Sequence, residues 1–272
     1  MNILDKIIAR KKEEVAESKS LVPVKKLERS IFFDNKVVSM KKYVTREDKT
    51  GIIAEFKRKS PSKGIINATA SVEKTSIGYM QAGASALSVL TDKDFFGGSN
   101  QDLTTARKFN FCPILRKDFI IDEYQIVEAK SIGADCILLI AAALDPKRLA
   151  DLAAFARSLG MEVLMEVHDQ EELDRSLNSH LDLVGVNNRS LKTFEVSLDT
   201  SYGLVDRIPN DFVKISESGI SDPKTLVELK AAGFDGFLIG ENFMKSIRPH
   251  QAAYNFMNKF KELSPDFDTQ EV

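Results

Sequence analysis

Charged side chains stand inside apolar, β-rich runs of this sequence at a spacing that suits acid–base chemistry. In the run Ile52–Lys57, one residue separates Glu55 from Lys57. Side chains alternate along a strand, so these two charges share one face, opposite Ala54 and Phe56. Opposite charges on the inner face of a strand are costly to bury unless they are paired or used. This pair is therefore a candidate for proton transfer.

Later β-rich runs end in polar residues of the same kinds. Lys117, Glu166, Asn187 with Arg189, and Glu217 lie at the ends of such runs, in phase with residues expected to face inward. Each alone would be explained by a structural ion pair or a solvated loop charge. Together, at the same end of several strands, they indicate one pocket. The chemistry that this set predicts is general acid–base catalysis on a small anionic substrate.

Two turns rich in small residues predict a phosphate site. Ser216–Ile220 follows the seventh β-rich run and Ile239–Asn242 follows the eighth. Backbone N–H groups and helix N-termini in such turns bind phosphate in barrel enzymes. Ordinary strand–helix turns also use glycine and serine, but both adjacent loops show the pattern. We therefore expect a phosphorylated small-molecule substrate.

The remaining candidates are weaker. No metal-ligand spacing surrounds the three histidines, which are expected at the surface or beside the site: His168, His180 and His250. Cys112 and Cys136 are predicted to be small core residues. The histidines and cysteines therefore predict no metal site. Phe95–Ser99 either packs on a neighbouring helix or forms an aromatic wall for a planar substrate.

A repeated phrase supplies the elements that would position these residues. A glycine closes a helix-like run before a β-rich run at Gly83, Gly133, Gly160 and Gly233, which stand 50, 27 and 73 residues apart. Glycine suits this place because helices commonly end in the left-handed conformation. The spacings fit two, one and three units of about 25 residues, the length of one strand, one helix and their loops.

Filling the gaps predicts eight strands: Ile52–Lys57, Leu87–Thr91, Ile114–Lys117, Ile137–Ile140, Val163–Val167, Leu183–Asn187, Val213–Glu217 and Phe237–Ile239. The segments between them are predicted helices, and Asp145-Pro146 and Asp222-Pro223 are helix start signals. An open doubly wound sheet is the alternative, but no G-x-G-x-x-G follows any strand. We expect an α/β fold, a (β/α)8 TIM barrel with extra N-terminal helices.

Residues 1–50 precede the first strand and are predicted to form a helical extension of one domain spanning residues 1–272. Its apolar positions at Ile3, Ile7, Ile8 and Val15 predict an amphipathic helix, either closing one barrel end or covering the substrate.

Composition limits the partners. The chain has 38 basic and 40 acidic residues and a net charge of -2, and nothing in it resembles the basic stripe that nucleic-acid binding would need. No apolar stretch approaches the ~20 residues of a membrane helix, and the charged N-terminus does not resemble a signal peptide. We expect a cytoplasmic protein, as a monomer or a weak homo-oligomer, without nucleic-acid or membrane partners.

The segment Glu55–Ser62 resembles the strand-1 signature of the indole-3-glycerol-phosphate synthase family, barrel enzymes of tryptophan biosynthesis. The resemblance covers essentially the whole chain and continues through several segments: Phe96–Ser99, Leu115–Phe119, Glu166–His168, Gly185–Arg189, Ser216–Gly219 and Leu238–Glu241. It implies a carboxy-lyase that converts 1-(2-carboxyphenylamino)-1-deoxyribulose 5-phosphate into indole-3-glycerol phosphate, CO2 and water. No metal or organic cofactor is implied.

The resemblance also implies a role for each site residue. Lys117 would be the acid that polarises the sugar ketone, while Glu166, Lys57 and Glu55 share the later proton transfers in an order left open. Asn187 would orient the intermediate. The other positions implied are Glu217 as a further catalytic or binding partner, Ser60, Phe96, Phe119, Leu138, Arg189 and Leu191 for the substrate, and Ser218, Gly219, Gly240 and Glu241 for phosphate.

Two positions depart from the family pattern. Ser190 stands where the family usually carries Asp or Asn, so the loop after strand six is expected to be held differently. Glu241 replaces a small hydroxyl residue, and its carboxylate would repel phosphate. We therefore expect the Glu241 side chain to point outward while its N–H donates.

Three alternatives stand beside the synthase interpretation. One is an enzyme similar to phosphoribosylanthranilate isomerase, and another is a Schiff-base aldolase using Lys117. The third is a phosphate-binding barrel that has lost catalysis and serves as a scaffold. A scaffold has no need of the buried charges at Glu55, Lys57, Lys117 and Glu166, which favours an enzyme.

Overall fold

The computed structural model describes residues 3–264, and in that range eight parallel strands close into a barrel. The strands, numbered first to eighth below, are Ile52–Phe56, Ala86–Leu90, Ile114–Lys117, Cys136–Ile140, Glu162–Val167, Leu183–Asn187, Val213–Glu217 and Gly236–Ile239. Closure is made where Ile53 of the first strand pairs with Ala86 on one side and Leu238 on the other. The barrel prediction is confirmed, and the open doubly wound sheet is excluded.

Helices follow the strands and form the outer layer. Their bounds are Val72–Gln81, Asn100–Phe109, Glu123–Ser131, Pro146–Ser158, Gln170–Ser176, Asp199–Leu204, Pro223–Ala231, Glu241–Met244 and Pro249–Leu263, with 3-10 turns at Ala141–Ala143 and Val205–Arg207. Both predicted start signals are confirmed, because Asp145 and Asp222 accept hydrogen bonds from backbone N–H groups of the first turns. All four glycines of the repeated phrase have positive φ.

The two faces of each strand pack in two different apolar clusters. Ile53, Leu115, Leu164 and Ile215 belong to the cluster that fills the barrel interior. Residues of the opposite phase, such as Ala54, belong to the cluster between strands and helices. The alternation predicted from sequence is therefore confirmed, and the polar residues in phase with the first group reach the carboxyl end of the barrel.

The N-terminal extension contains the helices Ile3–Leu21, Val24–Leu27 and Met40–Val44. Ile7, Met40 and Val44 all belong to the interior cluster. Ile7 lies at the carboxyl ends of the strands, whereas Val44 packs beside Gly236, at the amino end of the eighth strand. The extension thus covers both barrel ends. No helix within residues 3–264 is long and apolar enough to cross a membrane.

Candidate active site

A cavity of about 490 Å³ opens at the carboxyl ends of the strands. This volume lies in the range of small-molecule sites. Every site residue predicted from the sequence lines it: Glu55, Lys57, Ser60, Phe96, Lys117, Phe119, Leu138, Glu166, Asn187, Arg189, Leu191, Glu217, Ser218, Gly219, Gly240 and Glu241. The structure therefore brings the whole predicted set together in one pocket.

Lys117 is the central cation of the cavity. Its Nζ lies 2.7 Å from Oε2 of Glu166 and 2.6 Å from Oε2 of Glu217. Burial alone would lower the pKa of Lys117, but Glu166, Glu217 and Glu55 together raise that pKa well above its usual range. Lys117 is therefore an ammonium group with protons to donate.

The two carboxylates that share Lys117 are held differently. Burial favours the neutral form of each, but Lys117 and His168 lower the pKa of Glu166 below its ordinary value. Burial keeps the pKa of Glu217 above its ordinary value despite Lys117, and repulsion from Glu166 adds to the effect. Oε1 of Glu217 has no hydrogen-bond partner among residues 3–264. One carboxylate is therefore suited to accept protons and the other to hold one.

A second ion pair lies at the carboxyl end of the first strand. Lys57 Nζ lies 2.7 Å from Glu55 Oε1, and the Ser88 hydroxyl donates to Glu55 Oε2 at 3.2 Å. Glu55 is only 2% exposed, so water screens the ion pair little. It supplies a separate acid–base pair beside Lys117.

Two glycines make room for the buried carboxylates. A Cβ on Gly185 would lie 2.2 Å from Oε1 of Glu217, and one on Gly240 would lie 2.6 Å from Oε1 of Glu55. Any side chain at either position would displace a carboxylate. Gly240, predicted for its backbone N–H, therefore also shapes the acid–base cluster.

The loop after the sixth strand carries the next polar groups. Oδ1 of Asn187 accepts the backbone N–H of Arg189 at 3.0 Å. The Arg189 guanidinium donates to the Phe194 carbonyl at 3.3 Å and lies 3.2 Å from Glu241 Oε2. These bonds direct Arg189 along the cavity wall towards the loops after the seventh and eighth strands.

Those two loops form the predicted phosphate end. Ser218 and Gly219 both have positive φ, at 68° and 78°. For a serine this is an uncommon conformation, which is typical of functional turns. Lys63 and Lys245 line the same region and were missed by the sequence analysis, because they lie in loops without a strand period.

The expectation for the Glu241 side chain is wrong. Its carboxylate does not point away from the site but lies 3.2 Å from Arg189 and 3.8 Å from Lys63 Nζ. All three residues line the cavity. Two cations compensate the charge of the carboxylate, so it can lie beside the predicted phosphate end of the cavity.

The apolar wall has two sources. The rings of Phe96 and Phe119 lie 5.9 Å apart at an interplanar angle of 39°, within the range of favourable aromatic contacts. Ile3, Leu4 and Ile7 of the N-terminal helix also line the cavity. The N-terminal helix thus covers the cavity, while Met40 and Val44 close the opposite barrel end.

The residues outside the set also have defined places. Cys112 and Cys136 are buried and unpaired, as expected of small core residues. His168 is not at the surface but lies 3.4 Å from Glu166 Oε1, at the edge of the site. Within the part of the chain that the structure describes, no group of three or more His, Cys, Asp or Glu residues is placed to hold a metal ion.

Comparison with known proteins agrees with this geometry. The family described as "Indole-3-glycerol phosphate synthase" matches residues 4–256. A relative of that name from Bacteroides thetaiotaomicron is 50% identical over 256 residues, covering 94% of this chain and 98% of the relative. A relative of the same name from Laribacter hongkongensis is 46% identical over 255 residues, covering 92% of this chain and 97% of the relative.

A more distant likeness concerns the fold alone. A solved structure described as "Native KDPGal structure" superposes with a TM-score of 0.55 at 15% sequence identity. The likeness covers 79% of this chain and 94% of that one. At this identity the match supports the barrel and carries no argument about substrate.

Proposed function

This chain belongs to the indole-3-glycerol phosphate synthase family, and we propose that the lysine–carboxylate cluster at its barrel mouth performs the family's reaction. That reaction converts 1-(2-carboxyphenylamino)-1-deoxyribulose 5-phosphate into indole-3-glycerol phosphate with loss of CO2 and water, in tryptophan biosynthesis. The assignment of roles rests on the contacts of Lys117. Its buried ammonium contacts two carboxylates in one cavity, Glu166 with a lowered pKa and Glu217 with a raised pKa.

Ring closure is the step assigned to Lys117. The aromatic carbon that bears the carboxylate attacks the sugar ketone, so a carbon–carbon bond forms and negative charge develops on the ketone oxygen. Lys117 donates a proton to that oxygen, which becomes a hydroxyl group. Loss of CO2 then returns the bonding electrons to the ring.

Dehydration is assigned to the remaining acid–base groups. The hydroxyl leaves as water and the ring loses a proton, so one acid and one base are needed. Glu166, held ionised by Lys117 and His168, is suited to accept the proton. Lys57, held 2.7 Å from Glu55, is suited to protonate the departing hydroxyl. Asn187 lies on the sixth strand, between the strands that carry Glu166 and Glu217, and orients the intermediate.

The rest of the cavity binds the substrate. Phe96 and Phe119 pack the aromatic ring, with Leu138 and Leu191 beside it. Arg189 attracts the anionic groups. The phosphate is held by backbone groups at Ser218, Gly219, Gly240 and Glu241, with support from Lys63 and Lys245. Every one of these residues lines the cavity.

We further infer a cytoplasmic protein that acts as a monomer or weak homo-oligomer on a free small molecule. Support comes from the cavity, whose catalytic groups all belong to one chain. Light scattering across a range of protein concentrations tests the oligomeric state: a tight oligomer at low concentration would contradict this inference.

The activity is tested by adding the carboxyphenylamino-deoxyribulose phosphate and following indole emission together with CO2 release. The chain contains no tryptophan, so product emission stands against a weak tyrosine background. One CO2 per indole is expected, and borohydride is expected to trap no covalent adduct. Covalent trapping on a lysine, or no indole from folded protein, would contradict the proposal.

A further inference from the structure

His168 lies just beyond the cavity, separated from it by Glu166. It follows the fifth strand by one residue and precedes the helix Gln170–Ser176. Its side chain is 10% exposed and does not line the cavity. The cavity group nearest to His168 is Glu166, which lies 3.4 Å from its Nε2.

One edge of the imidazole is fixed by Glu172. Nδ1 of His168 lies 3.1 Å from Glu172 Oε2, and the backbone N–H of His168 donates to the same oxygen at 2.8 Å. Glu172 is itself only 14% exposed at its side chain. The carboxylate thus sets the orientation of the ring and keeps a proton on Nδ1.

The other edge of the imidazole faces the active site. Nε2 of His168 is buried, has no hydrogen-bond partner among residues 3–264, and lies 3.4 Å from Glu166 Oε1. The second oxygen of Glu166 contacts Lys117 at 2.7 Å. The two oxygens of this carboxylate are therefore divided between a lysine in the cavity and a histidine behind it.

The charges around His168 favour its cationic form. Glu172 and Glu166 face the two ring nitrogens, Glu217 lies beyond Glu166, and Lys117 is the opposing cation on the far side of Glu166. Burial lowers the pKa of His168, but the hydrogen bond that its ring donates to Glu172 and the charges of Glu166, Glu172 and Glu217 raise that pKa above its ordinary value overall. A row of alternating charges results, from Glu172 through His168 and Glu166 to Lys117.

We propose that His168 is a positioning residue: the Glu172–His168 pair holds Glu166 ionised and fixed, ready to accept the substrate's proton. The inference rests on the role given to Glu166 under the proposed function. It gives a role to a buried imidazole nitrogen that has no hydrogen-bond partner among residues 3–264.

The pH profile of kcat tests this role. Removing a cation from beside a carboxylate raises the carboxylate's pKa by roughly 1 unit or more. In His168→Gln the acid limb of kcat should therefore move to higher pH by about 1 unit, with kcat lowered about 10-fold and KM changed little. Glu172→Gln should move the limb in the same direction by less. His180→Gln is the matched control, because that histidine lies before the sixth strand at the other barrel end.

A second readout does not depend on activity. The chain has three histidines, so ring-proton NMR of the wild type and of His168→Gln identifies the His168 signal. The pKa read from that signal should lie above about 6.5, the ordinary histidine value. In Glu166→Gln this pKa should be lower than in the wild type. Glu172→Gln provides the same test if His168→Gln does not fold.

The outcomes separate the two proposals. An acid limb that moves in both variants and not in the control supports the inference. An unmoved limb in folded His168→Gln, or a His168 signal that titrates at or below the ordinary value, overturns it. If the wild type forms no indole, the proposed function falls, while the ring titration still decides whether His168 is the cation facing Glu166.

Discussion

At the scale of single residues, the site depends on two carboxylates that contact the same lysine but differ in pKa. Glu166 contacts Lys117 through one oxygen and lies beside His168 through the other. Glu217 shares only Lys117 and leaves one oxygen without a partner among the described residues. The same side-chain type is therefore a base at one position and a proton holder at the other.

Glu217 makes stability depend on pH. Burial raises its pKa in the folded protein above the unfolded value of about 4.3. The folded state then binds more protons through Glu217, so this residue makes the free energy of unfolding fall as pH rises above ~4.3 and through the raised pKa. Glu217→Gln removes that slope. Urea unfolding between pH 4 and 8 should show the variant gaining stability relative to the wild type as pH rises; parallel curves would contradict this.

Residue types and strand alternation were enough to predict that the charged side chains at the strand ends share the cavity. Glu55 and Lys57 two apart, and Glu217 at a strand end, all point inward as expected. The pairing was not predictable, because the distances across the barrel depend on its closure. Sequence alone does not show that Lys117 meets Glu166 and Glu217 while Lys57 meets Glu55.

At the scale of elements, the N-terminal helix is tied to the loops that carry the aromatic wall. Lys11, 1% exposed, lies 3.0 Å from Asp92 and 2.9 Å from Asp118. Asp92 accepts the backbone N–H of Phe96 at 3.2 Å, and Asp118 accepts that of Phe119 at 2.8 Å. One buried ammonium thus joins the helix to both rings of the wall.

Replacing Lys11 tests this connection. Lys11→Met leaves Asp92 and Asp118 with less compensation in a buried setting, so the protein should lose about 3–5 kcal/mol of stability. Lys12→Met on the same helix is the control, since Lys12 is exposed, and should change stability by less than ~0.5 kcal/mol. Chemical denaturation compares the two variants. Equal losses would show that Lys11 is not an anchor.

The elements themselves were predictable to within one residue at each strand end, because the glycine repeat and the strand alternation are local signals. Lys11 was not predictable. On an amphipathic helix a lysine is expected on the solvated face. Its burial depends on Asp92 and Asp118, which lie far away in the sequence.

At the scale of the whole molecule, the extension belongs to the barrel. Ile7 lines the cavity, while Met40 and Val44 are buried at the opposite end, with 0% and 2% exposure. We propose that the extension and barrel form a single domain. A separate unit would not share its core with both ends of another.

Hydrogen exchange followed by mass spectrometry tests this proposal. Amides of the helix Met40–Val44 should be protected to a degree similar to those of the barrel strands, because Met40 and Val44 pack in the same interior cluster as Ile53 and Ile215. Peptides of the extension that exchange freely while the strands stay protected would identify a separate unit.

The role of Lys117 is tested by the rates at which Lys117→Ala, the wild type and Lys12→Met form indole-3-glycerol phosphate. A general acid contributes roughly 10²–10⁴-fold. We predict that kcat of Lys117→Ala falls by at least about 10²-fold while the variant keeps the circular dichroism of the wild type, and that Lys12→Met is unaffected. If folded Lys117→Ala formed indole-3-glycerol phosphate at a rate within about 3-fold of the wild-type rate, the role assigned to Lys117 would be contradicted.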